Sequence, residues 1–523
     1  IAAVFLATLV AQYLLRYWQV YLMNWTGQRV MHDLRQGLFA HVQRLPARFF
    51  DRTPVGRLMT RILNDVEAIN EMFASGIVAI LGDVLILAGV VAVMLLLHWR
   101  LALVTFAVVP LLFLVAVAFR SRAREAYREV RRRIARLNAY LQENLMGVVV
   151  VQLFGREETH GREFRQLNAE HRQAVYRRMR YDALLYASVE VIGSAAVASL
   201  LWWGGGEILA GLLTFGVLVA FIEYTHRFFL PIRDVSAKYA VMQSAMVAAE
   251  RIFALLDTPP EIVSPPAPSR PARTRGGLEF RDVWFAYEGE QWVLRGLSFR
   301  VEPGERIALV GATGAGKSTI AKLLNRSYDV ARGWILLDGV DLREWDLARL
   351  RRAVGLVLQD VFLFAGSVEE NIALGDPARN REAVRAAARA ANAEPFILAL
   401  PRGYAEEVRE RGANLSHGQR QLLAVARALA YDPAVLVLDE ATSSVDPEAE
   451  ALIRDALDRL LEGRTSLVIA HRLSTIQRAD RILVLHRGRL VEAGTHRELL
   501  ARRGVYATLH ELQFGGQALR PTR

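Results

Sequence analysis

The segment from residue 311 to residue 319 reads G-A-T-G-A-G-K-S-T and lies between a strand pattern, Arg306-I-A-L-V, and a helix pattern. Its glycines allow backbone N–H groups to surround phosphate oxygens, Lys317 can reach the β- and γ-phosphates, and the Ser318 hydroxyl can ligate Mg²⁺. A strand, a glycine-rich loop and a helix in this order predict an α/β nucleotide-binding domain. The residues predicted to bind the nucleotide in this loop are Gly311, Gly314, Gly316, Lys317, Ser318 and Thr319.

Two later strand ends carry side chains suited to phosphoryl transfer, in which a protein positions water, neutralises charge and holds Mg²⁺. The apolar run Ala434-V-L-V-L is typical of a buried parallel strand, and Asp439 and Glu440 follow it. Asp439 is predicted to hold the metal, and Glu440 is predicted to polarise the attacking water. His471 follows a similar run and is predicted to donate a hydrogen bond to the γ-phosphate; the alternative is a structural histidine.

Apolar residues make up 53% of the 523 residues, and the mean hydropathy is positive, which indicates membrane-spanning segments. The net charge of +11 comes from arginines that concentrate beside apolar stretches, as expected for cytoplasmic loops. No nucleic-acid recognition motif accompanies this charge, so no nucleic-acid partner is expected. The lack of cysteine excludes disulfides and thiolate metal sites. Five stretches approach the roughly 20 apolar residues of a spanning helix: residues 1–24, 76–97, 101–119, 181–204 and 208–232.

The order of these stretches predicts the topology. The segment His98-Trp99-Arg100 suits a tight turn on the outer side, and the arginine-rich helical stretches between spans belong inside. Ile1 then lies outside, so a further span before it is expected. The expected location is a bacterial inner membrane, with the nucleotide domain in the cytoplasm. Prolines mark a linker, which divides the chain into a membrane domain (1–256), the linker (257–277), a nucleotide-binding domain (278–515) and a tail (516–523).

These motifs together resemble the ATP-binding cassette (ABC) family, exporter type, in which a six-helix membrane domain is fused to one cassette. The resemblance covers essentially the whole chain. It implies an all-α transmembrane bundle with long intracellular helical extensions, followed by an α/β P-loop ATPase domain. The motifs that carry it are the phosphate loop, Gln359, L-S-H-G-Q from Leu415, L-V-L-D-E ending at Glu440, S-S-V-D ending at Asp446, His471, L-P-A-R-F-F-D-R-T-P-V-G-R-L from Leu45, and A-E-R-I-F-A-L-L-D ending at Asp257.

The resemblance also implies roles for residues whose types alone say little. Tyr287 would stack on adenine, and Asp446 would link two composite sites. Gln359 would contact the metal and act as one of the catalytic residues. It would also couple the nucleotide site to the membrane helices. The signature residues that would contact ATP held by a partner cassette are Ser416, Gly418 and Gln419.

The implied function is ATP-driven export of amphipathic drugs, peptides or lipids across a bilayer, with ATP and Mg²⁺ as cofactors. Two cassettes must sandwich ATP, so a second half-transporter is required. The alternatives are a lipid flippase, and a nucleotide-gated or regulatory half with little turnover. His417 departs from the pattern, because the signature usually has a glycine there. This change beside intact Glu440 and His471 favours a heterodimer with unequal sites, while a homodimer remains the alternative.

Ionisable residues inside spans suggest a transport pathway, because they are costly there. Asp83, Glu190 and Glu223 lie in or near the predicted spans. An acidic cavity would favour cationic cargo. The alternative is that these side chains pair between helices, for example with Arg16, or lie at the membrane interface near Arg227. The sequence leaves the cargo open.

Overall fold

The computed structural model describes residues 2–376, 379–439, 447–470 and 473–514, which divide into two compact units. The first unit contains residues 1–38 and 59–255 and is helical. The second contains residues 39–58 and 256–523 and holds the β-sheets. The predicted fold class, a helical domain followed by an α/β domain, is confirmed. The sequence did not predict that the early segment 39–58 belongs to the second unit.

Long helices dominate the chain before the linker. Two π-helical segments, Arg61–Asp65 and Met72–Ile77, interrupt the α-helical geometry near its start. The α-helices are α1 Ala2–Val42, α2 Ala47–Arg52, α3 Val55–Thr60, α4 Val66–Glu71, α5 Val78–Phe106, α6 Val109–Met146, α7 Val148–Leu153, α8 Glu157–Leu209 and α9 Phe215–Leu256.

Two helical stretches of the described residues, Val78–Met146 and Glu157–Leu209, are long and apolar enough to cross a membrane. They contain three of the five predicted spans; the spans at 1–24 and 208–232 stay predictions. His98 breaks the helical geometry of α5 (φ −163°, ψ 93°), within the segment where the sequence predicts an outer turn. A second break at residues 107–108 precedes Pro110, which has no N–H to donate.

Apolar side chains of α5, α8 and α9 form the core of the helical unit. Met94, Ala196 and Phe221 are fully buried in this cluster. Gly204 allows α8 to approach α9 closely, because a Cβ there would lie 2.7 Å from Cδ1 of Leu218. Substituting Gly204 would therefore require the Leu218 side chain to shift.

The second unit contains a four-stranded, a six-stranded and a two-stranded sheet, with strand orders β2-β1-β4-β5, β12-β11-β3-β10-β9-β6 and β7-β8. The strands are β1 Leu278–Ala286, β2 Trp292–Val301, β3 Arg306–Val310, β4 Arg332–Leu337, β5 Val340–Asp341, β6 Val354–Val357, β7 Gly366–Ser367, β8 Glu407–Val408, β9 Val435–Asp439, β10 Thr465–Ile469, β11 Arg481–His486 and β12 Arg489–Gly494. The helices are α10 Lys317–Leu324, α11 Leu347–Ala353, α12 Val368–Ala373, α13 Arg381–Ala390, α14 Glu394–Ala399, α15 His417–Tyr431, α16 Pro447–Leu461, α17 Leu473–Gln477, α18 His496–Ala501 and α19 Val505–Phe514.

Both faces of the six-stranded sheet are buried. On β3, Ile307 and Leu309 face the cluster shared with the four-stranded sheet and α10, and Ala308 and Val310 face the helical cluster. Alternate residues of β9, β10 and β11 also face the two clusters, because successive side chains of a strand point to opposite faces of the sheet. This explains why these strands are continuously apolar in sequence. Because β6, β9, β10, β3 and β11 run parallel, their carboxyl ends meet at one edge of the sheet.

Candidate nucleotide-binding site

The predicted phosphate loop joins β3 to α10 at that carboxyl edge. Gly314 and Gly316 adopt left-handed backbone angles (φ +82° and +101°), which residues with a Cβ adopt only with strain. At Gly316 a Cβ would also lie 2.7 Å from Cδ2 of Leu294. The glycines therefore allow the loop to turn tightly into the N-terminus of α10, where backbone N–H groups point towards an anion.

Lys317 is the first residue of α10 and is only 7% exposed. Its ammonium donates to the carbonyl oxygens of Gly311 (2.6 Å) and Ala312 (3.1 Å), so the lysine curls back over the loop. Burial lowers the pKa of Lys317, and the negative charge of Asp439 opposes this shift. The loop thus presents a desolvated cation beside backbone donors, which suits a phosphate group.

Asp439 and Gln359 lie at the same edge of the sheet as the phosphate loop. Asp439 ends β9 and pairs with Ile469 of β10, and Ile469 pairs with Leu309 of β3. Gln359 follows β6, the neighbour of β9 on its other side, and lines one cavity together with Asp439. The structure therefore brings these two predicted residues together beside the loop. The predicted residues Glu440, Asp446 and His471 lie outside the described residues.

Tyr287, which follows β1, reaches α10 through its side chain. Its hydroxyl lies 3.2 Å from the Thr319 hydroxyl, two residues beyond Lys317. The ammonium of Lys322 lies 5.2 Å from the Tyr287 ring centre, within the range of a cation–π contact. Tyr328 packs edge-on against Tyr287, with ring centres 5.2 Å apart. These contacts fix Tyr287 next to the phosphate loop.

The short helix α2 contacts the tyrosines of the cassette, and the sequence analysis did not predict these contacts. Arg48 donates to the carbonyl oxygen of Tyr287 (3.2 Å), and Arg52 pairs with Glu288 (2.9 Å). The Tyr328 hydroxyl donates to Asp51, and burial together with this bond raises the pKa of Tyr328. The signal in the sequence was the motif from Leu45, which the family resemblance singled out without naming its partners.

The signature segment forms the start of α15. Ser416 and Gln419 form a capping box: the Ser416 hydroxyl accepts from the Gln419 N–H (3.2 Å), and the Gln419 side chain accepts from the Ser416 N–H (2.9 Å). Gly418 is buried between them. No hydrogen bond among the described residues connects this cap with the phosphate loop.

His417 lies along its own helix. Its Nδ1 is 3.4 Å from Nη2 of Arg420, and its Nε2 is 3.1 Å from Nε2 of Gln421. The ring is thereby held beside the helix N-terminus, where the usual glycine would leave open space. The imidazole therefore occupies space on the side of the helix that carries Arg420 and Gln421.

We expect Gly311→Ala to destabilise the cassette even without nucleotide. A Cβ at Gly311 would lie 2.3 Å from the Leu485 carbonyl oxygen and 3.1 Å from Cβ of Ala315, and backbone cannot move away cheaply. Overpacking of this kind costs about 1–3 kcal/mol. Gly314→Ala is the matched control, since that position is strained but open. A lower thermal midpoint for Gly311→Ala than for Gly314→Ala is expected; equal midpoints would contradict the steric explanation.

Comparison with known families identifies the family of the chain. The family described as "ABC transporter transmembrane region" matches residues 1–232, and the family described as "ABC transporter" matches residues 294–443. The chain belongs to the ABC transporter family. An ABC transporter ATP-binding protein of Bacillus subtilis, YknV, is 42% identical over 94% of this chain and 82% of its own length.

Two further relatives define the type of ABC transporter. A fatty acid ABC transporter ATP-binding/permease protein of Mycobacterium bovis is 40% identical over 96% of this chain and 80% of its own length. The solved structure of a bacterial Atm1-family ABC exporter with ATP bound is 32% identical, with a TM-score of 0.77 over 95% of this chain and 86% of that chain.

This ABC transporter is therefore a membrane-embedded exporter half that binds ATP and couples its hydrolysis to export. The predictions of family, fold class, ATPase activity and a membrane location with a cytoplasmic cassette are confirmed. One chain supplies one membrane domain and one cassette, so the working transporter contains two halves.

Proposed function

We propose that this half-transporter exports amphipathic molecules with a lipid-like apolar part, using ATP held between its phosphate loop and the signature of a partner cassette. The observation that carries the proposal is the convergence of Lys317, Asp439 and Gln359 at one edge of a sheet in a chain that also holds membrane-spanning helices. The relative named as a fatty acid transporter supports an amphipathic cargo.

Two of the three acids predicted in or near the spans have basic partners. Asp83 pairs with Lys238, and Glu223 pairs with Arg227 one helical turn away (2.8 Å). The Glu223 and Arg227 side chains are both more than half exposed, as expected at the interface between membrane and water. Because their charge is compensated within the chain, these two acids provide no free negative charge to select cationic cargo.

Mg²⁺ would be held by the Ser318 hydroxyl, Asp439 and Gln359 together with phosphate oxygens. Oxygen donors of this kind suit Mg²⁺, which is commonly held by one or two protein groups, waters and phosphates. When bound, the ion would neutralise charge on the transferred phosphate.

The other steps of ATP binding and hydrolysis are carried out by residues of both half-transporters. Lys317 binds the β- and γ-phosphates, and Tyr287 supports the adenine. Glu440 orients the attacking water, and His471 donates to the γ-phosphate. Ser416, Gly418 and Gln419 face the ATP of the partner cassette, and Asp446 links the two sites.

Helix α2 transmits the state of the nucleotide site to the membrane helices. Arg48 is bonded to the carbonyl of Tyr287, and Ala47 packs against the core beneath it. A shift of Tyr287 on nucleotide binding would therefore move α2 directly. Helix α2 would thus have two positions, and ATP binding would shift the equilibrium between them.

The partner is proposed to be a different half-transporter. His417 narrows the signature of this chain, which completes the site for the ATP held by the partner. That site would therefore hydrolyse ATP more slowly than the site in which Lys317 and Glu440 of this chain hold the ATP. A partner with an unaltered signature would complete the faster site.

Reconstitution into liposomes tests the proposed function. We expect ATP to drive a fluorescent fatty acid from the cassette side of the membrane to the other side, with the partner half present, and Lys317→Ala to stop this movement. ATP hydrolysis is measured in the same vesicles. Hydrolysis without movement of any amphiphile would contradict export, and a lack of hydrolysis would favour the regulatory alternative.

A further inference from the structure

A lysine–aspartate pair connects two helices of the membrane unit. The Lys238 ammonium of α9 donates to Oδ2 of Asp83 on α5. The two side chains are 19% and 25% exposed, so the pair is largely covered but still reachable. Asp83 lies seven residues into the predicted span 76–97, about 10 Å from its cytoplasmic end at 1.5 Å per residue. Lys238 lies six residues beyond the cytoplasmic end of the predicted span 208–232, so the pair lies near the cytoplasmic end of the spans. A carboxylate inside a span is costly, which makes Asp83 and its partner a candidate for function.

The choice of lysine at this position is unusual for this chain. Only three of its 65 lysine and arginine residues are lysine. The other two, Lys317 and Lys322, lie in the phosphate-loop helix α10, where Lys317 faces the phosphate loop. An ammonium is a compact charge that can move between anions, whereas a guanidinium is a planar fork suited to a fixed bidentate pair. Lys238 is therefore the only lysine of the sequence outside helix α10.

Arg251 on the same helix shows what a fixed pair looks like in this chain. Its Nε and Nη2 donate to the two carboxylate oxygens of Asp65 at 2.9 and 2.6 Å, and Asp65 is only 5% exposed. Both acceptor oxygens are occupied, so this pair has little capacity for a further partner. Lys238 differs, because an ammonium has three donors and, among the described residues, the structure gives it one acceptor oxygen.

We propose that Lys238 binds the anionic headgroup, phosphate or carboxylate, of the amphipathic cargo as it enters from the cytoplasmic leaflet. Asp83 holds the ammonium in the absence of cargo, and the headgroup replaces it. The exchange keeps Lys238 paired with an anion throughout, while the partly exposed Asp83 can be hydrated when it is released. This inference rests on the proposed export function and adds the charge of the cargo to it.

The inference makes opposite predictions for the two members of the pair. Asp83→Asn removes the competing carboxylate, so the anion should bind more tightly; Lys238→Gln removes the binding group, so the anion should bind more weakly. The charge-assisted bond involved is stronger than a hydrogen bond between neutral groups. Since about 1.4 kcal/mol is a tenfold change, we expect the half-stimulating concentration to fall about tenfold in the first variant and to rise about tenfold in the second.

The measurement is lipid-stimulated ATP hydrolysis by the transporter in phosphatidylcholine liposomes, each variant normalised to its own unstimulated rate. The probes are oleate for a carboxylate, dioleoyl phosphatidic acid for a phosphate, and monoolein as an uncharged amphiphile. Stimulation by oleate alone assigns a carboxylate, and stimulation by phosphatidic acid alone assigns a phosphate. Stimulation by monoolein equal to that by the anions would overturn the inference, whereas ATP-driven movement of an uncharged amphiphile would leave the proposed function intact.

Arg251→Gln is the control for a pair that serves only to hold helices together. We expect it to lower the thermal midpoint and to leave the half-stimulating concentration unchanged. If Asp83→Asn and Lys238→Gln shift that concentration in the same direction, the pair is structural and the inference fails. Should Lys238→Gln not fold, Lys238→Arg keeps the positive charge; weaker anion stimulation in this variant supports the inference, and unchanged stimulation contradicts it.

Discussion

Lys317→Ala is expected to reduce ATP hydrolysis by this transporter at least about a hundredfold, equivalent to about 2.7 kcal/mol of transition-state stabilisation. Lys317 is almost fully buried, and its ammonium already lies over the phosphate loop, bonded to the carbonyls of Gly311 and Ala312. A cation in such a desolvated position interacts strongly with phosphate oxygens, because little water screens it. The rate of phosphate release and the affinity for ATP should both fall.

Lys322→Ala is the matched control for this loss, since Lys322 lies in the same helix but contacts the rings of Tyr287 and Tyr328. Its cation–π contacts are worth about 0.5–1 kcal/mol, so a decrease of no more than about fivefold in activity is expected. Similar losses in the two variants would show that the helix was disturbed and that Lys317 has no special role. Lys317→Arg should also lose activity, because the planar guanidinium does not fit the buried position of an ammonium.

Much of the cassette follows from the sequence, because its signals are local. Continuous apolar runs predicted β3, β9 and β10, and the parallel arrangement of strands then brings Asp439 and Gln359 to the edge that holds the phosphate loop. His98 marks the predicted break in α5, since a polar segment separates two apolar stretches.

The parts that the sequence did not predict depend on contacts between distant residues. Nothing near Asp51 in sequence indicates that its carboxylate accepts from Tyr328, or that Arg48 bonds to the Tyr287 carbonyl. The orientation of the His417 ring depends on Arg420 and Gln421, whose rotamers a motif does not specify.

The acidic residues of the spans show the same limit. Asp83 and Glu223 suggested a cation pathway, but both have basic partners in the fold. Glu223 pairs locally with Arg227, so the sequence spacing could suggest it. Lys238 is 155 residues from Asp83, so only the packing of α9 on α5 reveals that pair.

We expect ATP hydrolysis by this chain only when a partner half is present. In that complex, Glu440→Gln is expected to stop hydrolysis while ATP binding persists. Glu440 follows Asp439, the last residue of β9, at the edge where the phosphate loop lies. A carboxylate there can orient and polarise the attacking water, and its amide cannot accept the proton. We expect at least about a hundredfold loss in hydrolysis, with the affinity for ATP retained because Lys317 and the loop are unchanged.

The dependence on a partner follows from the signature. In a dimer of two identical chains, both composite sites would contain His417, whose ring is held beside the N-terminus of α15 by Arg420 and Gln421. A partner with a glycine at this position would leave the space open for the γ-phosphate of the ATP held by this chain. Phosphate release is therefore measured for the chain alone and with the partner half, each with and without Glu440→Gln.

His417→Gly provides the decisive comparison within this experiment. If the imidazole is what limits the site, this variant should raise the turnover of the chain alone, and that gain should disappear when Glu440→Gln is added. Rapid Glu440-dependent turnover by the unmodified chain alone would instead establish a working homodimer, and His417 would then be compatible with a closed site. A lack of turnover in every combination would assign the chain a regulatory role, because Glu440 would then have no hydrolysis to support.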